Sequence, residues 1–173
     1  MPATYQAPMR KDQEKSRTHS QSQSTNLKSS TATVAQVLDG KGNAVFSIKP
    51  DETLGVAVTL LRDKGVGALL VTDGAGDLVG ILSERDIVRK LADTPGQTLP
   101  QLVGDVMTKK VETCTGTEPL VSVLKRMTSG RFRHMPVMDA GKLAGMLTIG
   151  DVINYRLTEL EHEALQLKQL IVG

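Results

Sequence analysis

Tryptophan is absent from this 173-residue chain, and only two tyrosines and two phenylalanines occur. Single-stranded nucleic acid is held largely by stacking bases on such rings, so that class of binder lacks its material here. Cysteine occurs once, as Cys114. One thiol closes no internal disulfide and builds no cysteine-based zinc site. A lone thiol suits a reducing compartment, and the expected location is cytoplasmic. No apolar run approaches the length of a membrane span, and the N-terminus lacks the apolar core of a secretory signal. The basic, Ser-rich opening has some of the composition of an organelle-targeting leader, but Asp12, Glu14 and the missing apolar face argue against one. Net charge is only +2. Residues 1–30 hold five Lys or Arg against two Asp or Glu, and the rest holds sixteen against seventeen. The folded part is therefore no basic body built to neutralise phosphates, and neither nucleic acid nor membrane is the expected partner.

What is present begins with a polar segment over residues 1–30, rich in Gln, Ser, Thr and Lys. It cannot bury enough apolar surface to offset ordering entropy, so a flexible tail is expected. Order should start near Thr33. "TVAQVLDGKGN" predicts a short helix stopped by glycines, and "AVFSI" a strand. "DETLGVAVTLLRDKG" spaces Leu54, Val58 and Leu61 as a helix and ends on Gly65. "ALLV" and "LVGIL" read as strands around the turn "TDGAGD", and "SERDIVRKLA" as a helix with Ile87, Val88 and Leu91 apolar.

The second half repeats that order through "LPQLVGDVMT", "VETC", "EPLVSVLKRMTSG", "HMPVMD", "KLAGML" and "IGDVINYRL". At an offset of 66, Val45 pairs with Val111, Glu52 with Glu118 and Val71 with Val137. One extra residue in the first hairpin turn changes the offset to 65, pairing Gly80 with Gly145 and Asp86 with Asp151. This is an internal duplication, each copy reading β-α-β-β-α. Either copy alone makes a marginal core, so two packed together are the folding unit. The expected divisions are a tail over 1–30, a first repeat with its leading helix over 31–98, a second over 99–157, and a helical extension over 158–173. From the end of the second repeat into that extension, Ile153, Leu157, Leu160, Ala164, Leu167 and Ile171 step by 4, 3, 4, 3, 4, a heptad seam. The seam either packs on its own domain or joins a second copy.

The repeats share the phrase Gly-apolar-apolar-hydroxyl-x-x-Asp, "GILSERD" and "GMLTIGD". Ser83-x-x-Asp86 and Thr148-x-x-Asp151 stand where a strand should pass into a helix. The plain reading is a capping box, in which hydroxyl and acid satisfy free backbone N–H groups. The sharper reading adds a ligand. A carboxylate held in a first helical turn can accept two neighbouring hydroxyls, as on a ribose. Its occurrence in both copies then suggests two related cavities.

"GALLVTDGAGDLVGILSERDIVRKL" and "FRHMPVMDAGKLAGMLTIGDVINYRL" resemble the two halves of a cystathionine-β-synthase (CBS) domain pair, over roughly residues 33–157. The resemblance is to small stand-alone bacterial-type proteins and to the regulatory pair of inosine-monophosphate dehydrogenase, here without a catalytic barrel. It implies an α+β fold of two β-α-β-β-α units related by pseudo-twofold symmetry. It further implies adenosine-containing ligands in the clefts between the units and association into a flat homodimer. By resemblance, Ser83 and Asp86 would hold a ribose in one cleft, and Thr148 and Asp151 in the other.

"GRFRHMP" offers Arg131, Arg133 and His134 for a phosphate, since guanidinium presents a fixed fork of donors. The aligned first-copy residues are Gly65, Gly67 and Ala68. The clefts are therefore unequal, and the Thr148/Asp151 cleft is expected to take the phosphorylated ligand better. Arg85, inside "SERD", is a further candidate near the phosphate or a dimer seam. "GAGDLVG" looks like a dinucleotide loop, but a strand follows it rather than a helix, so it is read as a hairpin turn. No nucleophile or metal cluster accompanies His134, and Cys114 aligns with the strand residue Ile48, so no enzyme and no catalytic cofactor are expected.

The resulting expectation is a non-catalytic sensor of AMP, ADP, ATP or NAD(H), acting on an unidentified regulated protein; S-adenosylmethionine also contains the required adenosine. The alternative is a structural interaction or dimerisation module whose clefts bind no nucleotide.

Overall fold

A computed structural model of the chain describes residues 32–172. The tail expected over 1–30 lies outside the described residues. The element order is α1 (Val34–Lys41), β1 (Ser47–Ile48), α2 (Leu54–Lys64), β2 (Ala68–Thr72), β3 (Leu78–Ser83) and α3 (Glu84–Asp93). Then follow α4 (Val103–Val106), β4 (Cys114–Thr115), α5 (Leu120–Gly130), β5 (His134–Asp139), β6 (Lys142–Thr148) and α6 (Ile149–Val172). The duplication is real: two three-stranded sheets have the same order, β1-β2-β3 and β4-β5-β6. In each, the first pair is parallel and the second an antiparallel hairpin. The "GAGD" segment is indeed the first hairpin turn, where Asp73 Oδ1 accepts from Ala75 N and Asp77 N, both at 2.9 Å.

Burial follows the sequence pattern with two departures. Strand β2 is apolar and buried from Ala68 to Val71, and Leu69, Leu70 and Val71 are each 0% exposed. Burying one such side chain is worth about 2 kcal/mol. On α2 the buried stripe is Leu54, Ala57 and Leu61, while Val58 faces solvent. On α3 only Ile87 is buried, and Val88 and Leu91 are exposed.

The two cores do not follow the linear division of the chain. Val34, Val37 and Leu38 of α1 belong to the core of the second half, with Leu120, Met127, Met135 and Leu147. Val103 of α4 belongs to the first core, with Leu54, Leu69, Val71 and Leu82. The leading helices are exchanged. The backbone fixes this: Val34 N donates to Glu118 O at 3.1 Å, and Val103 N donates to Glu52 O at 2.9 Å. Glycine makes room for both. A methyl on Gly145 would stand 3.1 Å from Leu38 Cδ1, and one on Gly80 would collide with Met107 Sδ. The expected leading helix over "LPQLVGDVMT" is only the single turn of α4. Beyond it Thr108 bridges back to Ile81 of β3.

Candidate functional site

Each copy of the repeated phrase closes a strand and opens a helix, and the capping geometry is present in both. In the first, Ser83 N donates to Asp86 Oδ2 at 3.0 Å and Asp86 N to Ser83 Oγ at 3.4 Å. Ser83 Oγ also donates to Asp86 Oδ2 at 2.6 Å. In the second, Thr148 N donates to Asp151 Oδ2 at 2.8 Å and Asp151 N to Thr148 Oγ1 at 3.2 Å. Capping and ligand binding are compatible, because a carboxylate has about four acceptor positions. Asp86 Oδ1 has no hydrogen-bond partner among the described residues.

Arg131 and Arg133 meet the first phrase, contrary to the expectation that they serve Thr148 and Asp151. A cleft of about 700 Å³ is lined by Ser83, Arg85 and Asp86 of the first half and by Arg131, Arg133 and His134 of the second. Its size falls within the range of small-molecule sites. The reason is the twofold relation: the start of β5 faces the start of α3 across the boundary between halves. Arg85 spans that boundary and donates from its guanidinium to the Arg131 carbonyl at 2.8 Å. Arg89 and Lys110 also line this cleft. The sequence reading did not single them out, though Arg89 stands four residues after Arg85, on the same helical face. Five cations therefore face three carboxylates, those of Glu84, Asp86 and Glu112. Among the described residues, none of the five is ion-paired.

Arg131 holds a strained backbone. It caps α5 in the left-handed region, φ 57° and ψ 33°, where the first half uses Gly65 at φ 63° and ψ 36°. A side chain there costs about 1 kcal/mol, which Gly avoids. His134, paired with Thr148 across β5 and β6, lies between the two phrases, its ring against Gly67. Burial holds its imidazole below the ordinary 6.5, with Arg133 and Lys41 acting the same way and Glu84 and Asp151 opposing. At neutral pH it is uncharged and can donate from one nitrogen and accept at the other.

The second phrase has a different neighbour. Lys41, at the end of α1, forms an ion pair with Asp151 Oδ2 at 2.5 Å. Burial raises the Asp151 carboxyl, but the hydrogen bonds from Lys41 and Thr148, with the Lys41 charge, outweigh it and hold it below its ordinary 3.8. Cys114 is 2% exposed in β4. Burial pushes its thiol up to about 11, Glu118 adds to this and Arg126 opposes it. It is a packed strand residue in the place of Ile48.

Two sheets of one topology, exchanged leading helices and a cleft between duplicated strand-to-helix junctions define a paired regulatory module. The chain belongs to the CBS domain family, which it matches over residues 43–93 and 103–158. It is 40% identical to the CBS-domain containing protein ATU1752 from Agrobacterium tumefaciens, whose crystal structure superposes with a TM-score of 0.70 over 72% of this chain and 92% of that one. It is 31% identical over 151 residues to the CBS domain-containing protein CBSX3, mitochondrial, of Arabidopsis thaliana, covering 83% of this chain and 73% of that protein. The crystal structure of CBSX2 in complex with AMP superposes with a TM-score of 0.62 at 27% identity, over 73% of this chain and 97% of that one. Among the described residues, no helix is long and apolar enough to cross a membrane.

Proposed function

We propose that the protein is a non-catalytic regulatory module whose open cleft binds an adenosine-containing nucleotide. One observation carries this reading: an acceptor carboxylate, Asp86, shares a cleft with guanidinium groups of the other half that have no ion-pair partner among the described residues. A ribose diol needs paired acceptors, and a phosphate needs forked donors. Asp86 and Ser83 supply the first need, and Arg131, Arg133 and Arg85 the second, with His134 as a neutral partner for base or phosphate. AMP, ADP, ATP and NAD(H) share this pairing of diol and anion. S-adenosylmethionine has the diol without a phosphate and leaves the arginines unused. The AMP complex of CBSX2 supports an adenine nucleotide. Thr148 and Asp151 repeat the hydroxyl and carboxylate at the second phrase, where Asp151 is ion-paired to Lys41.

Because the cleft is built from both halves, a ligand there contacts both and favours one arrangement of them. It signals only through a difference in affinity between arrangements. The test is calorimetric titration with AMP. Asp86→Ala is expected to weaken binding at least about tenfold, which is about 1.4 kcal/mol. Unchanged affinity in Asp86→Ala contradicts the assignment.

A second reading rests on α6. Ile153, Leu157, Leu160, Leu167 and Ile171 are all exposed, at 45% to 83%. The heptad seam thus finds no partner in its own chain among the described residues, which supports a homodimer. This adds an output surface to the nucleotide reading. Alone, it describes a dimerisation module.

A further inference from the structure

The exchange of leading helices sets a second correspondence, at an offset of 69. Val34 matches Val103 in its bond to the opposite half, and Ala35 N donates to Gly116 O as Gly104 N donates to Pro50 O. Leu38 covers Gly145 as Met107 covers Gly80. Three residues on, Lys41 matches Lys110. Each lysine stands at one of the two phrases, in a different state. Lys110 lines the open cleft with Asp86, and no ion pair joins them. Lys41 is bound to Asp151 at 2.5 Å, and the two side chains are only 28% and 23% exposed. The open cleft reaches His134 and includes neither Thr148 nor Asp151 in its walls.

The backbone explains the difference. Helix α1 continues through Lys41. Helix α4 ends at Val106, and the next residues run beside β3, where Thr108 and Ile81 exchange backbone bonds at 2.9 and 3.0 Å. A helix advances about 1.5 Å per residue and an extended chain about 3.3 Å. The same lysine is thus drawn back onto its aspartate in one half and carried along the strand in the other. Val34, Val37 and Leu38 anchor α1 in the core, so Lys41 is held in place.

We propose that Lys41 is the built-in occupant of the ligand position at the second phrase: it closes Asp151 to a ribose diol and makes the chain a single-site nucleotide binder. The inference rests on the nucleotide reading above. A charge-assisted bond from an ammonium is about twice as strong as one from a neutral hydroxyl. Lys41 and the Thr148 amide both bond Asp151 Oδ2, so a diol that needs both carboxylate oxygens must displace Lys41. Any ligand that does enter must first break the Lys41–Asp151 ion pair.

Calorimetric titration with AMP of the full chain tests this, using Lys41→Met, which keeps an apolar stem and removes the charge. The unaltered protein should bind about one AMP per chain, and Lys41→Met about two, the added site at least roughly tenfold tighter than in the parent. Lys41→Met combined with Asp86→Ala should retain about one site, which Asp151→Ala then removes. The proposal is overturned if Lys41→Met leaves stoichiometry unchanged, or if the parent already shows two sites of equal affinity. No binding of AMP by any of these proteins would instead refute the nucleotide reading itself.

Discussion

Arg131 is the residue whose local cost is hardest to explain by folding alone. The first half places Gly65 at the same helix end in the same left-handed conformation. Arg131→Gly should therefore leave stability unchanged or raise it by up to about 1 kcal/mol. The same change should weaken ATP binding, since a phosphate donor is lost. Urea denaturation and ATP titration of one preparation read both effects. A loss of stability above about 1 kcal/mol, or unchanged ATP affinity, contradicts the assigned role. His134 carries a prediction of its own. The folded state keeps it neutral below 6.5, the value near which the unfolded chain takes up the proton. The unfolded state then binds more protons, so stability is full above 6.5 and falls as pH drops through 6.5 toward the folded value. Melting curves between about pH 7.5 and 5.5 should show this loss, and His134→Gln should flatten it. An equal slope in both proteins would remove His134 as its source. Although Arg89, Lys110 and Lys41 went unmarked, the other candidate ligand residues were legible in the sequence, because each is a chemically marked type in or beside a repeated phrase. Their grouping was not. An alignment says which residues are equivalent, and equivalence placed Arg131 and Arg133 with Asp151. In the open cleft, Arg131 and Arg133 instead meet the phrase of the other half.

At the scale of elements, hairpins and long helices were legible from alternation, helical spacing and Gly stops. The short pieces were not. Strands β1 and β4 each have two residues, and α4 is one turn. Such pieces are set by what they pack against, which local pattern does not record. Lys41 and Lys110 were missed for a related reason, although "GK" and "KK" follow both leading segments at one offset. The last half of α6 is the element with the clearest separate role. Residues 158–171 are exposed apart from half-buried Glu159, so little core depends on them. Deleting residues 158–173 should leave the melting temperature of the remainder nearly unchanged and abolish self-association in sedimentation velocity. Retained association would place the dimer contact elsewhere, and a large drop in melting temperature would make the extension part of the fold.

The whole molecule is two copies that cannot be separated without breaking both cores. Each half lends its leading helix to the other. The open cleft likewise takes Arg85, Asp86 and Arg89 from one half and Arg131, Arg133 and His134 from the other. Under the proposed nucleotide reading, a ligand that contacts both halves would bias their packing only through a difference in affinity between arrangements. The duplication made the two-unit architecture readable from sequence, while the exchange, a property of three dimensions, left only the offset of 69 as its trace.

The most direct test is thermal unfolding of the intact protein and of Asp86→Ala against AMP, ATP, NADH and S-adenosylmethionine. A ligand held only by the folded state adds about 2.7 kcal/mol of stability at one hundred times its Kd. The account predicts a saturable rise with at least one phosphorylated adenosine, a smaller rise or none with S-adenosylmethionine, and loss of the rise in Asp86→Ala. No rise with any of the four, or the same rise in Asp86→Ala, would contradict it.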